Sequence, residues 1–220
     1  MRVMTIVLLG GLWLDGTAWR DVVPELEKRG RRATAVPPTG LTLTEQIDAV
    51  VAAVDTAPEK AIVVGHSAAV TLAWIAADRR PDKVATVAMI GGFPNEDGQP
   101  YADFFEIEDG VMAFPGWEPF EGPDAQDLDE RARRDFEAAA VAVPEGTARG
   151  TVRLTDDRRF DVPVVLVCPE FSPAQAREWV TGGDSPELSR VKHLDYVDID
   201  SGHWPMFTQP VALAEIIAAL

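Results

Sequence analysis

The stretch IVVGHSAAV, residues 62–70, is an apolar run that breaks at a glycine, presents a histidine and a serine, and resumes on small residues. Residues 61–64 read as a buried strand, and residues 68–79 as a helix ended by Pro81. Ser67 therefore falls where a strand turns directly into a helix. Such a turn leaves little room, so the residues two before and two after it must be small; they are Gly65 and Ala69. The turn exposes the serine hydroxyl, and the helix start supplies N–H groups and a field that favours negative charge. A serine that merely caps the helix is the plainer alternative. The strand–turn–helix context favours a nucleophile.

The same alternation extends on both sides. Residues 4–9 form an apolar strand ending at Gly10-Gly11, and residues 19–29 a helix closed by Gly30. Residues 32–36 are a strand. Residues 42–54 are a helix opened by Thr42 and Glu45 in capping-box spacing, with Ile47, Val50, Val51 and Val54 on one face. Residues 84–90 are a strand ending at Gly91-Gly92. The pattern then breaks: residues 95–160 mix Phe104, Phe105, Phe114, Trp117 and Phe120 with glycine, proline and acids, followed by a helical run over 124–142. It resumes with a strand over 162–168, a helix over 174–180, a strand over 194–199 and a helix over 211–219. Apolar strands alternating with helices predict an α/β fold: a doubly wound, mostly parallel sheet of about six strands, covered on both faces. The expected division is a core of residues 1–94 and 161–220 with an insertion over 95–160.

Composition bounds the function. The chain has 220 residues, 46% hydrophobic and 25% charged, which suits one globular domain. Its net charge of −16 argues against nucleic acid and anionic membranes as partners. The lone Cys168 allows no intrachain disulfide, and the three histidines lack ligand spacing, so no metal and no cofactor are expected. The N-terminal MRVMTIVLLGGLW is too short an apolar run for a signal peptide, lacks a cleavage pattern and reads as the first strand. A cytoplasmic location is the expectation, with the chain a monomer or a homodimer.

In an open parallel sheet, ligands bind beyond the carboxyl ends of the strands. A base for Ser67 should come from a late strand-end loop, and DIDSGHWPMF, residues 198–207, places His203 there between Gly202 and Trp204-Pro205. His193 begins a strand and reads as structural, and His66 as packing. An acid should follow the strand over 162–168. Glu170, 33 residues before His203, is the candidate; Glu96, Asp97 and Asp184 compete. Such a carboxylate would fix the imidazole tautomer. Oxyanion donors would be the N–H of Ala68 and, from the loop LGGLWLDG, that of Leu12 or Trp13.

Together GGLW, GHSAA, CPEF and SGHW, in this order, resemble the α/β-hydrolase family over essentially the whole chain. The likeness is nearest to small capped members such as methylesterases and hydroxynitrile lyases. Gly10 stands where the family usually has histidine, Ala69 where it has glycine, and Glu170 where it more often has aspartate. The resemblance implies that residues 95–160 form a helical cap, and that Trp13, Phe93, Phe105, Trp117, Trp204 and Met206 line an apolar pocket, with Phe104, Phe114 and Phe207 nearby. It implies a serine hydrolase that takes a small ester, lactone or thioester through an acyl-enzyme formed on Ser67. Two alternatives share the fold: a lyase using the same triad with a cation among Arg131, Arg133, Arg134, Arg149 and Arg153, and a non-catalytic binder of a small ligand.

Overall fold

The computed structural model describes residues 4–220. The start of the N-terminal reading, residues 1–3, lies outside them. In chain order, β1 (Thr5–Leu9) leads through a 3₁₀ turn at Gly16–Trp19 to α1 (Val23–Lys28), β2 (Arg32–Val36), α2 (Leu43–Thr56), β3 (Ala61–His66), α3 (Ala69–Arg79) and β4 (Val84–Ile90). The connection after β4 carries β5 (Val111–Met112), α4 (Glu130–Ala139), β6 (Val143–Pro144) and α5 (Glu145–Ala148). Then come β7 (Val164–Cys168), α6 (Pro173–Gly182), α7 (Pro186–Ser189), β8 (Leu194–Asp198), α8 (Pro205–Thr208) and α9 (Pro210–Ala218).

Six strands form one parallel sheet in the order β2-β1-β3-β4-β7-β8. The inner strands are apolar at nearly every position because both of their faces are covered. All of β1, β3 and β7 is buried. The edges are polar: β2 opens on exposed Arg32, and β8 alternates Asp195 and Asp198 with half-buried apolar residues. One face is covered by α2, α3 and α6, whose core includes the fully buried Trp74; the other holds α1 and α9 around Trp19.

The strand order reverses between β1 and β3, where Leu9 pairs with Gly65. That is the switch point at which the ends of neighbouring strands splay apart and leave a crevice. The loops Gly10–Leu14 and His66–Ala68 both open there.

Three expectations need correction. The helix read over 19–29 divides into the 3₁₀ turn and α1, which has Pro24 in its first turn. The run 124–142 is helical only in α4, capped by Asp129. The residues before it are committed elsewhere: Asp124 O accepts from His203 N at 2.7 Å, and Asp127 Oδ2 from Gly202 N at 2.8 Å. Past the end of α4, Val141 N donates to Trp13 O at 2.9 Å. On α2 the Thr42–Glu45 capping box is present, but the buried stripe is Leu43, Gln46, Val50 and Val54, with Ile47 and Val51 only half-buried.

Candidate active site

Ser67 follows β3 with φ +54°, a conformation that L-residues rarely adopt outside tight turns. Its N–H is tied to Ile90 O at 2.8 Å, at the end of β4. The turn is too tight for a side chain at position 65: a Cβ on Gly65 would lie 2.4 Å from Ala69 O. A Cβ on Gly92 would lie 2.8 Å from Ser67 O, so the end of β4 must also be bare backbone. Among the described residues the Ser67 hydroxyl has no hydrogen-bond partner.

The β1 loop comes onto this turn through Gly11. A Cβ there would stand 2.8 Å from His66 Nδ1 and 3.0 Å from Ser67 Cβ. The N–H groups of Leu12 and Ala68 donate to no described residue. Trp13 has φ +64°, and its indole donates to Met112 O at 3.2 Å. Backbone and ring of Trp13 are thus both held by the β4–β7 connection.

His203 and Glu170 meet at 2.7 Å, through Nδ1 and Oε1. A carboxylate accepts, so Nδ1 carries the proton and Nε2 keeps its lone pair. Both side chains are largely buried, at 13% and 14% exposed. A Cβ on Gly91 would lie 3.2 Å from His203 Nδ1 and 3.3 Å from Glu170 Oε2. Gly91 and Gly92 therefore set the pair on one side and Ser67 on the other. The competing acids lie elsewhere: Asp97 Oδ1 accepts from Leu154 N, Glu96 engages Gln99, and Asp184 is exposed.

Two groups around the pair, His66 and Asp124, make contacts with it that the sequence did not reveal. His66 is buried, as packing requires, and its Nε2 lies 2.7 Å from the carbonyl oxygen of His203. A carbonyl only accepts, so Nε2 carries the proton and the buried Nδ1 is left without a partner. Burial, and then the neighbouring His203, holds the His66 pKa well below its usual value, so the ring stays neutral. Asp124 sits beside the pair. Its pKa is raised by burial, and by the Glu170 charge against the opposing effect of His203. No local pattern could reveal these partners; the glycines at 91 and 92 were the one available signal, and they read only as a strand end. Cys168 is pushed up to about 12 by burial, with Asp198 and Glu170 adding to the effect, and stays a thiol.

The predicted pocket residues divide. Trp13 packs on Phe105, Phe114 and Phe120, with ring centroids 5.3–5.9 Å apart. Trp117 meets Trp204 at 5.5 Å, and Trp204 meets His203 at 4.9 Å. One aromatic layer thus runs from the β1 loop across the connection to the His203 loop. Met206 is fully buried in the same core. Phe93 stands apart, stacked on Phe171 and against Trp179. Phe104 is exposed.

A family model described as the alpha/beta hydrolase family matches residues 6–216. No curated protein sequence matches. Among solved structures, the chain is similar to an extracellular alpha/beta-hydrolase from a Paenibacillus species, described as sharing structural and functional homology with tobacco salicylic acid binding protein 2. The identity is 18%, the TM-score 0.79, and 98% of each chain is covered. It is similar to a methylesterase from Arabidopsis at 15% identity and TM-score 0.77, covering 99% of this chain and 98% of that one. It is also similar to a pyrethroid hydrolase from Sphingobium faniae JZ-2 at 21% identity and TM-score 0.67, covering 99% and 97%. The chain belongs to the alpha/beta hydrolase family and is an enzyme of hydrolase type.

Proposed function

We propose that this enzyme cleaves a carboxylic ester, lactone or thioester of a small uncharged acid, with Ser67 as nucleophile, His203 as base and Glu170 as the residue that orients His203. The observation that carries this reading is the 2.7 Å His203–Glu170 hydrogen bond, set against the Ser67 turn through Gly91 and Gly92. With Nδ1–H held by Glu170, the His203 Nε2 lone pair takes the Ser67 proton as Oγ attacks the acyl carbon. The carbonyl electrons move onto oxygen, where the N–H groups of Leu12 and Ala68 would receive them. The tetrahedral species collapses, His203 returns the proton to the leaving oxygen or sulfur, and an acyl-enzyme remains. Water, deprotonated by His203, then releases the acid.

Residues 95–160 act as the cap in this reading, and the aromatic layer from Trp13 to Trp204 supports an apolar lining for the reacting centre. The substrate reaches the site as a free small molecule. A lyase that needs a cation at the leaving anion finds less support. Arg133 is engaged by Glu121, Leu128 O and Ala125 O; Arg149 pairs with Asp103 and Glu145; Arg131, Arg134 and Arg153 are exposed.

Ser67→Ala is the test. With p-nitrophenyl acetate as substrate, kcat should fall by roughly 10³ or more while the far-UV spectrum stays unchanged. A variant that turns over at the wild-type rate removes Ser67 from the mechanism.

A further inference from the structure

A void opens beside Leu12, on the β2 side of the switch point. Gly11, Leu12, Val50 and Leu72 contribute to its wall, together with Gln46, Tyr101 and Thr147. Neither Ser67 nor His203 lines it, and none of its lining residues is charged.

Its polar residues are out of keeping with an ordinary core. Gln46, Tyr101 and Thr147 are only 9%, 3% and 1% exposed. The Thr147 hydroxyl is buried without a partner. The Gln46 amide and the Tyr101 hydroxyl make no hydrogen bond to a described residue. Most buried polar groups in proteins are paired, because leaving one unpaired is costly. Of the three, the Thr147 hydroxyl on α5 is the buried orphan, and Gln46 on α2 and Tyr101 at the start of the β4–β7 connection bring two further polar side chains to the same void. Burial also raises the Tyr101 phenol above its usual pKa, which keeps it a donor.

We propose that this void is the acyl subsite, and that it takes a short uncharged acyl chain bearing an oxygen function (ether, hydroxyl or carbonyl) bound by Gln46, Tyr101 and Thr147. The proposal rests on the reading of Ser67 as nucleophile. The leaving group must lie against His203, which protonates it, and no residue of the His203 loop borders the void. The carbonyl oxygen must lie at Leu12, which does border it. The acyl chain is the part of the substrate left to extend there. The missing charges in the wall argue against a second carboxylate or an amine, because burying an unpaired charge is costly. The void measures about 40 Å³. One water-sized group needs about 10–15 Å³, so the chain is short.

The test uses two nearly isosteric esters, p-nitrophenyl 3-methoxypropanoate and p-nitrophenyl pentanoate, which differ by one oxygen in place of one methylene. The ratio of their kcat/KM values should fall about tenfold in Tyr101→Phe and in Thr147→Val, and further in Gln46→Leu combined with Tyr101→Phe. A ratio that stays within twofold of wild type in every variant overturns the proposal. A second arm measures binding of ethyl 3-methoxypropanoate and ethyl pentanoate to Ser67→Ala protein by calorimetry, with and without Tyr101→Phe. The ether ester should bind more tightly, and Tyr101→Phe should erase the difference. The two failures are distinguishable. If Ser67→Ala abolishes turnover and the ratio is flat in every variant, only the subsite is wrong. If Ser67→Ala leaves turnover intact, the nucleophile is wrong, and a binding preference that survives Tyr101→Phe overturns the subsite as well.

Discussion

His66 Nε2 donates to the carbonyl oxygen of His203 at 2.7 Å, across 137 residues of chain. The residue before the proposed nucleophile thus holds the backbone of the proposed base. The bond requires a neutral His66, and burial keeps it so. In the unfolded chain the ring binds a proton below pH ~6.5, while in the fold it stays deprotonated to much lower pH. The unfolded state then holds more protons, so stability is full above that pH and is lost as pH falls through it. The loss is at most ~1.4 kcal/mol per pH unit for one group. His66→Phe should lower stability at pH 7.5 by about 1–3 kcal/mol, because the His203 carbonyl loses its partner. The gap between variant and wild type should narrow at pH 5.5. Urea midpoints at the two pH values check this; a gap that widens with acid contradicts a neutral His66.

Glu170 and Asp97 offer a paired comparison. Glu170 accepts from His203 Nδ1, whereas Asp97 caps the backbone N–H of Leu154 at 2.9 Å. Glu170→Gln lets an amide donor face Nδ1 and favours the wrong tautomer, so kcat should fall by roughly 10²–10⁴. Asp97→Asn keeps a carbonyl acceptor for Leu154 and should hold kcat within about threefold of wild type, on the usual scale for substitutions away from the chemistry. Steady-state kinetics on one ester reads both, and the reverse ranking would move the acid to Asp97.

Gly202 shows how the β4–β7 connection holds the proposed base, His203. Its N–H donates to Asp127 Oδ2, and the next N–H, that of His203, donates to Asp124 O. A Cβ at position 202 would lie 2.3 Å from Asp124 O, a backbone atom that cannot swing away. Gly202→Ala should therefore push the His203 loop off the connection. Misplacing a catalytic group by about 1 Å can cost roughly 10²-fold in rate. We expect a kcat loss of roughly 10–100-fold with a folded protein by circular dichroism, and a milder loss for Asp127→Ala, which removes one of the two bonds. A Gly202→Ala enzyme of wild-type kcat would mean that this clasp does not position His203.

Much of this arrangement was readable along the chain, for a physical reason. A strand buried on both faces must be an apolar run, and a strand that turns straight into a helix must carry small residues at 65 and 69. Local rules therefore pointed to Ser67, and the strand-end loops to Glu170 and His203, which the fold brings within 2.7 Å of each other. What stayed hidden depends on backbone meeting backbone at long range. Gly91 and Gly92 separate Ser67 from the His203–Glu170 pair, but a strand followed by two glycines looks the same wherever it packs. His66 read as packing because its carbonyl partner lies 137 residues away. The helix over 124–142 was overextended because the backbone of Asp124 is engaged by His203 in place of a helical neighbour. Gln46 was passed over because apolar periodicity assigns buried faces to Ile and Val, and a polar residue facing a void breaks that rule.

Arg159 carries the last prediction, on stability alone. Its guanidinium binds Glu187 at 2.9 Å and Asp78 at 3.2 Å and lies over the Phe160 ring. The three charged side chains are 4%, 8% and 0% exposed. Glu187 also accepts from the Trp74 indole, and Asp78 from Thr155 N and Asp156 N, so the network ties α3 and α7 to the chain entering β7. Arg159→Met leaves two carboxylates buried without a cation, a break that typically costs about 3–5 kcal/mol. In a chain of this size each kcal/mol moves the melting temperature by about 2–4 °C, so Tm should drop by roughly 6–20 °C. The kcat on p-nitrophenyl acetate at 20 °C should be retained, because none of the three groups touches the Ser67 turn or the His203–Glu170 pair. Adding Asp78→Asn and Glu187→Gln to Arg159→Met removes the stranded charges and should recover part of the lost Tm. A triple variant no more stable than the single one would show that packing of the Arg159 stem, and not charge, sustains this corner of the fold.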